Sequence, residues 1–154
     1  GVRLDAMLES GVQNVLALRG DLPEGETRPR DACFQHADAL VREIRAHGGF
    51  CVGGACYPEG HVESASQEED IAYLKQKVEA GCDFLTTQMF FDNNVLYRFL
   101  YKLYAKGIAI PVLAGLMPVT NKKQIARIVR LSGTSLPPRL TLLQTACAAC
   151  TFIP

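Results

Sequence analysis

The chain has 154 residues, and its 16 acidic and 16 basic side chains balance each other. This length suits one ordinary domain, and the balanced charge argues against nucleic acid or anionic membrane as a partner. The longest apolar run, 108–117, is too short to span a bilayer. Because no secretory signal is visible, we expect a cytoplasmic protein with reduced cysteines. Cys147 and Cys150 form a lone C-x-x-C pair, so we predict no metal site.

Apolar runs and helical periodicity divide the chain into alternating strands and helices. Strands are predicted at 12–18, 50–57, 84–88 and 108–116. The first of them is interpreted as buried on both faces, as in a parallel sheet. A first helix is predicted to end at Ser10. Four more helices are predicted to start after the capping residues Asp31, Ser66 (with Glu69), Asp92 and Thr120 or Asn121.

This repeated β-α order predicts an α/β fold with a parallel sheet and right-handed crossovers. The sheet is either an open, doubly wound one or about four consecutive βα units of a (β/α)8 barrel. A complete barrel needs roughly 250 residues, so this chain would form about half of one. We assign 1–139 to that fold and leave the uncharged tail, 140–154, unassigned.

Polar side chains follow the carboxyl end of every predicted strand. Open sheets and barrels place their chemistry at these ends, so one site is expected there. Asp21, after the first strand, is predicted to be the most important functional residue. Gln88 is a polar residue in an apolar strand, and a buried amide needs hydrogen-bond partners that a ligand ring would supply. The strand-end residues are Arg19, Asp21, Tyr57, Glu59, His61, Thr86, Thr87, Gln88, Pro118, Thr120 and Asn121.

Each of these signals also has a simpler explanation. Arg19 and Asp21 would form an ion pair or a helix cap, and with Gly20 they match a cell-adhesion tripeptide, which we do not favour without a secretion signal. His61 and Glu63 are only two of the ligands that a metal would require. Asp70 and Lys77 lie seven residues apart on one helix face, a spacing that a solvated surface also produces.

Five stretches together resemble the catalytic domain of methylenetetrahydrofolate reductase, a flavoprotein (β/α)8 barrel. They occur in that family's order with similar spacing, between about Val12 and Pro138. The stretches are 14–23 (NVLALRGDLP), 55–61 (ACYPEGH), 70–81 (DIAYLKQKVEAG), 87–92 (TQMFFD) and 115–121 (GLMPVTN).

The resemblance implies that NADH or NADPH reduces bound FAD, which then reduces methylenetetrahydrofolate. Asp21 and Gln88 would be catalytic, and Asp21, Gln88 and Gln124 would contact substrate. A carboxylate beside the flavin would lower its reduction potential and improve it as a hydride donor. The implied cofactor contacts are Arg19, Gly20, Asp21, Ala37, Tyr57, His61, Asp70 and Lys77.

The sequence also departs from the family's pattern. The strand that carries the family's general-acid glutamate would precede Gly1, and the residues after Pro138 do not resemble the family's last strand. We therefore expect weak FAD binding and no activity from this fragment, and association through unpaired sheet edges into a homo-oligomer or with another partner. The alternatives are a non-catalytic FAD-binding remnant and an unrelated open-sheet cofactor domain. The sequence does not choose between NADH and NADPH.

Overall fold

A computed structural model describes residues 2–20, 36–118 and 122–141. Helices and strands alternate along these segments, as predicted. The capping residues Asp31, Thr120 and Asn121, and the tail beyond residue 141, lie outside the described residues. The elements are α1 (Val2–Glu9), β1 (Asn14–Ala17), α2 (Ala37–His47), β2 (Cys51–Cys56), α3 (Gln67–Glu79), β3 (Phe84–Thr87), α4 (Asn93–Ala105), β4 (Val112–Leu113) and α5 (Lys122–Ser132).

The strands form one four-stranded parallel sheet in the order β1-β2-β3-β4. A doubly wound sheet reverses its strand order at a switch point, whereas a barrel adds each strand beside the one before it. The strictly consecutive order therefore agrees with a segment of a (β/α)8 barrel. It also brings all the carboxyl strand ends to one edge of the sheet.

Helices α1 to α4 pack against one face of this sheet. Ala17, Val52 and Leu85 face them and are buried with helix residues such as Val41 and Phe99 in two apolar clusters. On the opposite face, Leu16 of β1 and Leu113 of β4 remain exposed by 44% and 53%, and Leu18, just after β1, is exposed by 50%. The prediction that the first strand is buried on both faces is therefore wrong. The apolar composition of this strand suits the filled interior of an eight-stranded barrel. The described residues form only four strands, which leave that face of β1 uncovered.

The fourth strand is much shorter than its apolar run. Of the predicted residues 108–116, only Val112 and Leu113 are in β-conformation. Ile108 instead finishes the turn after α4, where its N–H donates to the Leu103 carbonyl at 3.0 Å. Beyond Leu113, the N–H of Gly115 donates to the Thr87 hydroxyl rather than to a backbone carbonyl, so the chain leaves the ladder there.

Two predicted helix starts are confirmed by their capping bonds. The Ser66 hydroxyl accepts from the Glu69 N–H at 3.1 Å, and the Glu69 carboxylate accepts from the Ala65 N–H at 2.7 Å. Asp92 caps α4 by accepting from the Asn94 N–H at 2.8 Å. No helix within the described segments is long and apolar enough to cross a bilayer.

Candidate functional site

An ion pair joins the carboxyl end of β1 to the loop after β2. The Arg19 guanidinium donates to the Glu63 carboxylate at 2.8 Å, across 44 residues of sequence. The Arg19 side chain is 22% exposed and that of Glu63 is 50% exposed. The pair therefore lies at the rim, by which we mean the edge of the sheet formed by the carboxyl ends of the strands. The guanidinium hydrogen bond holds the pKa of Glu63 below its usual value. The rim therefore carries a cation paired with a carboxylate that is open to solvent.

Tyr57 and His61 lie together in the loop that follows β2. Their rings meet edge to face, with centroids 4.5 Å apart and planes at 80°. The His61 Nδ1 accepts from the Glu63 N–H at 3.2 Å, so the neutral imidazole carries its proton on Nε2. The loop therefore fixes the tautomer of His61 and presents a hydrogen-bond donor and an aromatic ring side by side.

Asp70 lies beneath this loop, in the first turns of α3. It is only 9% exposed, and its carboxylate accepts from the Ser64 hydroxyl at 3.4 Å and from the backbone of His61. Burial raises the pKa of Asp70, while the nearby His61, including the hydrogen bond from its backbone, opposes that shift. Asp70 thus supports the loop that carries His61. It is not an ordinary solvent-exposed residue of the helix surface.

Lys77 extends from the same helix, α3, over the face of the sheet that the helices cover. Its Nζ donates to the Ala55 carbonyl at 2.8 Å. Its stem runs past Gly54, where an added Cβ would lie 3.0 Å from Lys77 Cδ. Burial lowers the pKa of Lys77. Lys77 therefore lies close to the end of β2, with its amine bonded to the strand backbone.

Gln88 leaves the end of β3 beside the Tyr57 loop. Its backbone N–H donates to the Cys56 carbonyl at 2.7 Å, which extends the ladder by one bond. Its side-chain Oε1 accepts from the Met89 N–H at 3.0 Å. This bond turns the amide oxygen toward the chain's own backbone, so the amide nitrogen is the end left to meet a ligand.

Gln88 lines a small cleft, with room for about one water molecule, between two strand ends and the segment after α5. Thr134, buried to 3% exposure, donates from its hydroxyl to the Met89 carbonyl at 3.2 Å. The Glu59 carboxylate accepts from the Ser135 N–H at 3.0 Å. The lining residues are Tyr57, Pro58, Glu59, Gly60, Gln88, Met89, Ser132 and Thr134.

The structure thus brings part of the predicted set together. Arg19, Tyr57, His61 and Asp70 are linked through one loop, and Gln88 shares a cleft with Tyr57. Asp21, the residue predicted to matter most, lies outside the described residues. The remaining predicted contacts have their own places: Gly20 directly follows Arg19 with a φ of +80°, Ala37 is the first residue of α2, and Gln124 lies in the first turn of α5.

Sequence reasoning missed three contributors to this rim. Glu63 was considered only as a metal ligand, and Ser132 and Thr134 were not considered at all. Ser132 bonds locally, to the Ile128 carbonyl and the Thr134 hydroxyl, but the Arg19 partner of Glu63 and the Met89 partner of Thr134 lie 44 and 45 residues away. No local spacing encodes such contacts, although a Ser-Gly-Thr run directly after a helix is a turn signal that marks exposed hydroxyls.

A parallel sheet with consecutive strand order and a helix after each strand is the architecture of an α/β-barrel segment. A sequence model described as methylenetetrahydrofolate reductase matches residues 2–146. The chain therefore belongs to the methylenetetrahydrofolate reductase family, and the predicted partial (β/α)8 barrel is confirmed.

Individual relatives agree with this assignment. Methylenetetrahydrofolate reductase (NADH) 1 of Zea mays is 36% identical over 151 residues, covering 90% of this chain and 26% of its own length. Methylenetetrahydrofolate reductase 1 of Schizosaccharomyces pombe is 39% identical over 132 residues, covering 84% of this chain and 22% of the relative. The 5,10-methylenetetrahydrofolate reductase of Pectobacterium carotovorum is 35% identical, covering 88% of this chain and 44% of the relative. The chain thus spans less than half of each of these relatives.

One solved structure shares the fold. It is an uncharacterized protein from Clostridium thermocellum that binds two copies of 5-methyl-5,6,7,8-tetrahydrofolic acid. It superposes with a TM-score of 0.55 at 20% identity, over 82% of this chain and 46% of that one. At this identity the likeness is one of fold.

Proposed function

We propose that this chain forms part of a flavin-dependent site that reduces 5,10-methylenetetrahydrofolate to 5-methyltetrahydrofolate. Overall, one hydride and one proton are added to the folate while NADH or NADPH is oxidised. The observation that carries the proposal is the gathering of Arg19, Tyr57 and His61 around one loop, with Gln88 in the adjoining cleft.

The chemistry of these groups fits FAD, which joins a flat ring system to a diphosphate. Arg19 and His61 offer donors suited to phosphate oxygens, and Tyr57 offers an aromatic surface. Bound FAD would supply the two-electron chemistry. Asp70 would keep the loop in place, and Lys77 remains a predicted contact of the cofactor's outer part. Ala37 and Gly20 keep the same predicted status.

Gln88 would orient the folate ring and the nicotinamide, which use the site in turn. Because its Oε1 is engaged by the Met89 N–H, the amide nitrogen would donate to a ring carbonyl or carboxamide oxygen. Gln124 stays a predicted second substrate contact, and Asp21 keeps its predicted catalytic role as a carboxylate near the flavin. The choice between NADH and NADPH stays open, since relatives of this family carry either name.

Flavin titration of the purified chain tests the proposal. Tyr57→Leu should weaken FAD binding about tenfold, the size expected for losing one aromatic contact worth about 1.4 kcal/mol. Tyr101→Leu is the matched control, because Tyr101 is 75% exposed on α4 and away from the strand ends. Equal effects of the two substitutions, or no flavin binding by the unaltered chain, would count against the proposed site.

A second function, FAD binding without catalysis, would use the same cofactor-suited groups, Arg19, Tyr57 and His61, around one loop. The two are separated by adding NADH or NADPH to the flavin-loaded chain under anaerobic conditions. Bleaching of the flavin absorbance supports the reductase, whereas a stable flavin spectrum supports the binding role.

The predicted cytoplasmic setting fits the three free thiols of Cys51, Cys56 and Cys82.

A further inference from the structure

The Glu63 carboxylate occupies a place on Arg19 that suits a phosphate. The pair is short, at 2.8 Å, but half of the Glu63 side chain is open to solvent. Exposed ion pairs of this kind contribute only about 0–1 kcal/mol. A phosphate carries more charge than a carboxylate and binds a guanidinium through two parallel bonds. An incoming phosphate would therefore exchange with Glu63 at little cost.

Two imidazole rings lie near the Glu63 carboxylate in addition to Arg19. Besides Arg19, His61 and His36 lie close enough to the carboxylate to contribute to the lowered pKa of Glu63. The neighbouring acid, Asp70, is 9% exposed and is engaged by the Ser64 hydroxyl and the His61 backbone. When the Glu63 carboxylate leaves, the guanidinium donor that it held and the Nε2–H donor of His61 remain at the rim.

The loop allows the Glu63 side chain to leave without moving its backbone. The Glu63 N–H donates to His61 Nδ1 at 3.2 Å, and the Ser64 N–H donates to the His61 carbonyl at 3.0 Å. These bonds hold the backbone in a tight turn that ends at the cap of α3. Only a rotamer change of an exposed side chain is then required, and such changes take picoseconds to nanoseconds.

We propose that Glu63 is an internal competitor for the anion site at Arg19, displaced when a ligand's phosphate or diphosphate binds there. Glu63 would thereby set the affinity for phosphorylated ligands without contacting them. The inference rests on the proposed function in one respect: the diphosphate of FAD is the ligand group we expect at this position.

Calorimetric titration of the full chain with three probes tests this inference. Glu63→Gln removes the competing charge and should tighten FAD binding about threefold to tenfold, or roughly 0.7–1.4 kcal/mol. Binding of riboflavin, which has no phosphate, should not change. The matched control is Glu68→Gln, because Glu68 is also exposed and pairs with Lys102 at 3.2 Å, but on α3. This control should leave both affinities unchanged.

Inorganic pyrophosphate separates failure of this inference from failure of the proposed function. If no flavin binds, the proposed function fails, yet pyrophosphate should still bind more tightly to Glu63→Gln than to the unaltered chain. The added substitution Arg19→Gln should abolish that gain. The inference is overturned if Glu63→Gln weakens or leaves unchanged the binding of pyrophosphate, or if riboflavin affinity rises as much as that of FAD.

Discussion

Replacing Gly115 by alanine should separate the ends of β3 and β4 and disturb Gln88. A Cβ at Gly115 would lie 2.2 Å from the Thr87 carbonyl oxygen, and 3.5 Å from the carbonyl carbon of Gln88. The oxygen belongs to the backbone, so no rotamer relieves the clash. The same glycine donates its N–H to the Thr87 hydroxyl at 2.8 Å. Moving Gly115 away would therefore stretch this bond as well.

The expected cost follows from these contacts. Overpacking that forces a backbone shift costs about 1–3 kcal/mol. A strained or lost hydrogen bond adds about 0.5–1.5 kcal/mol. The reduced freedom of alanine in the unfolded chain returns about 0.4–1 kcal/mol. Together these effects should lower the free energy of unfolding of Gly115→Ala by about 2 kcal/mol, within a range of about 0.5–4 kcal/mol.

Gly53→Ala provides the comparison, because its Cβ would lie as close as 2.4 Å to another group. That group is the tip of the Phe84 ring, which can turn aside at the partly open face of the sheet. We therefore expect Gly53→Ala to cost less than about 1 kcal/mol in urea unfolding. In flavin titration, only Gly115→Ala should weaken binding. A Gly115→Ala chain as stable as Gly53→Ala would refute the reasoning from backbone contact.

Two further predictions concern stability against pH and association. The Asp5 carboxylate lies 2.8 Å from His47 Nε2 and raises the pKa of that histidine above 6.5. This contribution is complete below the unfolded pKa and is lost as pH rises through the folded one. Asp5→Asn should therefore lower the melting temperature at about pH 5.5 and leave it unchanged at about pH 9. An equal fall in melting temperature at both pH values would contradict a stabilising Asp5–His47 ion pair. Sedimentation should show association that grows with concentration and declines in Leu16→Asn, since Leu16 is 44% exposed beside an unpaired edge of the described sheet. A monomer at every concentration would contradict this.

The fold could be predicted from the sequence wherever short-range signals decide it. The Ser66 capping box, the Asp92 cap and the glycines that end helices indicated the element order correctly. Strand environment was harder to predict, because an apolar run such as the one around Leu16 looks the same whether or not a second layer covers it. The length of β4 depended on one contact across the sheet, between Gly115 and Thr87, that no local pattern contains.

The same distinction applies to the site. Strand-end positions follow from βα alternation, so Arg19, Tyr57 and Gln88 could be nominated from sequence alone. The partners that hold them could not, since the Glu63 carboxylate reaches Arg19 across 44 residues. The role of Glu63 can be inferred only when the structure shows which cation its carboxylate contacts.

The contacts at the rim form a continuous series along the sheet. Arg19 reaches the loop after β2, the Cys56 carbonyl accepts from the Gln88 N–H, and Thr87 holds the segment after β4. Each contact joins neighbouring strand ends, because the consecutive strand order places successive βα units side by side. A disturbance at one strand end, such as that expected from Gly115→Ala, should therefore pass first to Gln88 and only then to the Tyr57 loop. Flavin binding would then be less affected than the orientation of the Gln88 amide toward the substrate. Loss of the Arg19–Glu63 pair would instead act on the binding of the cofactor's phosphates.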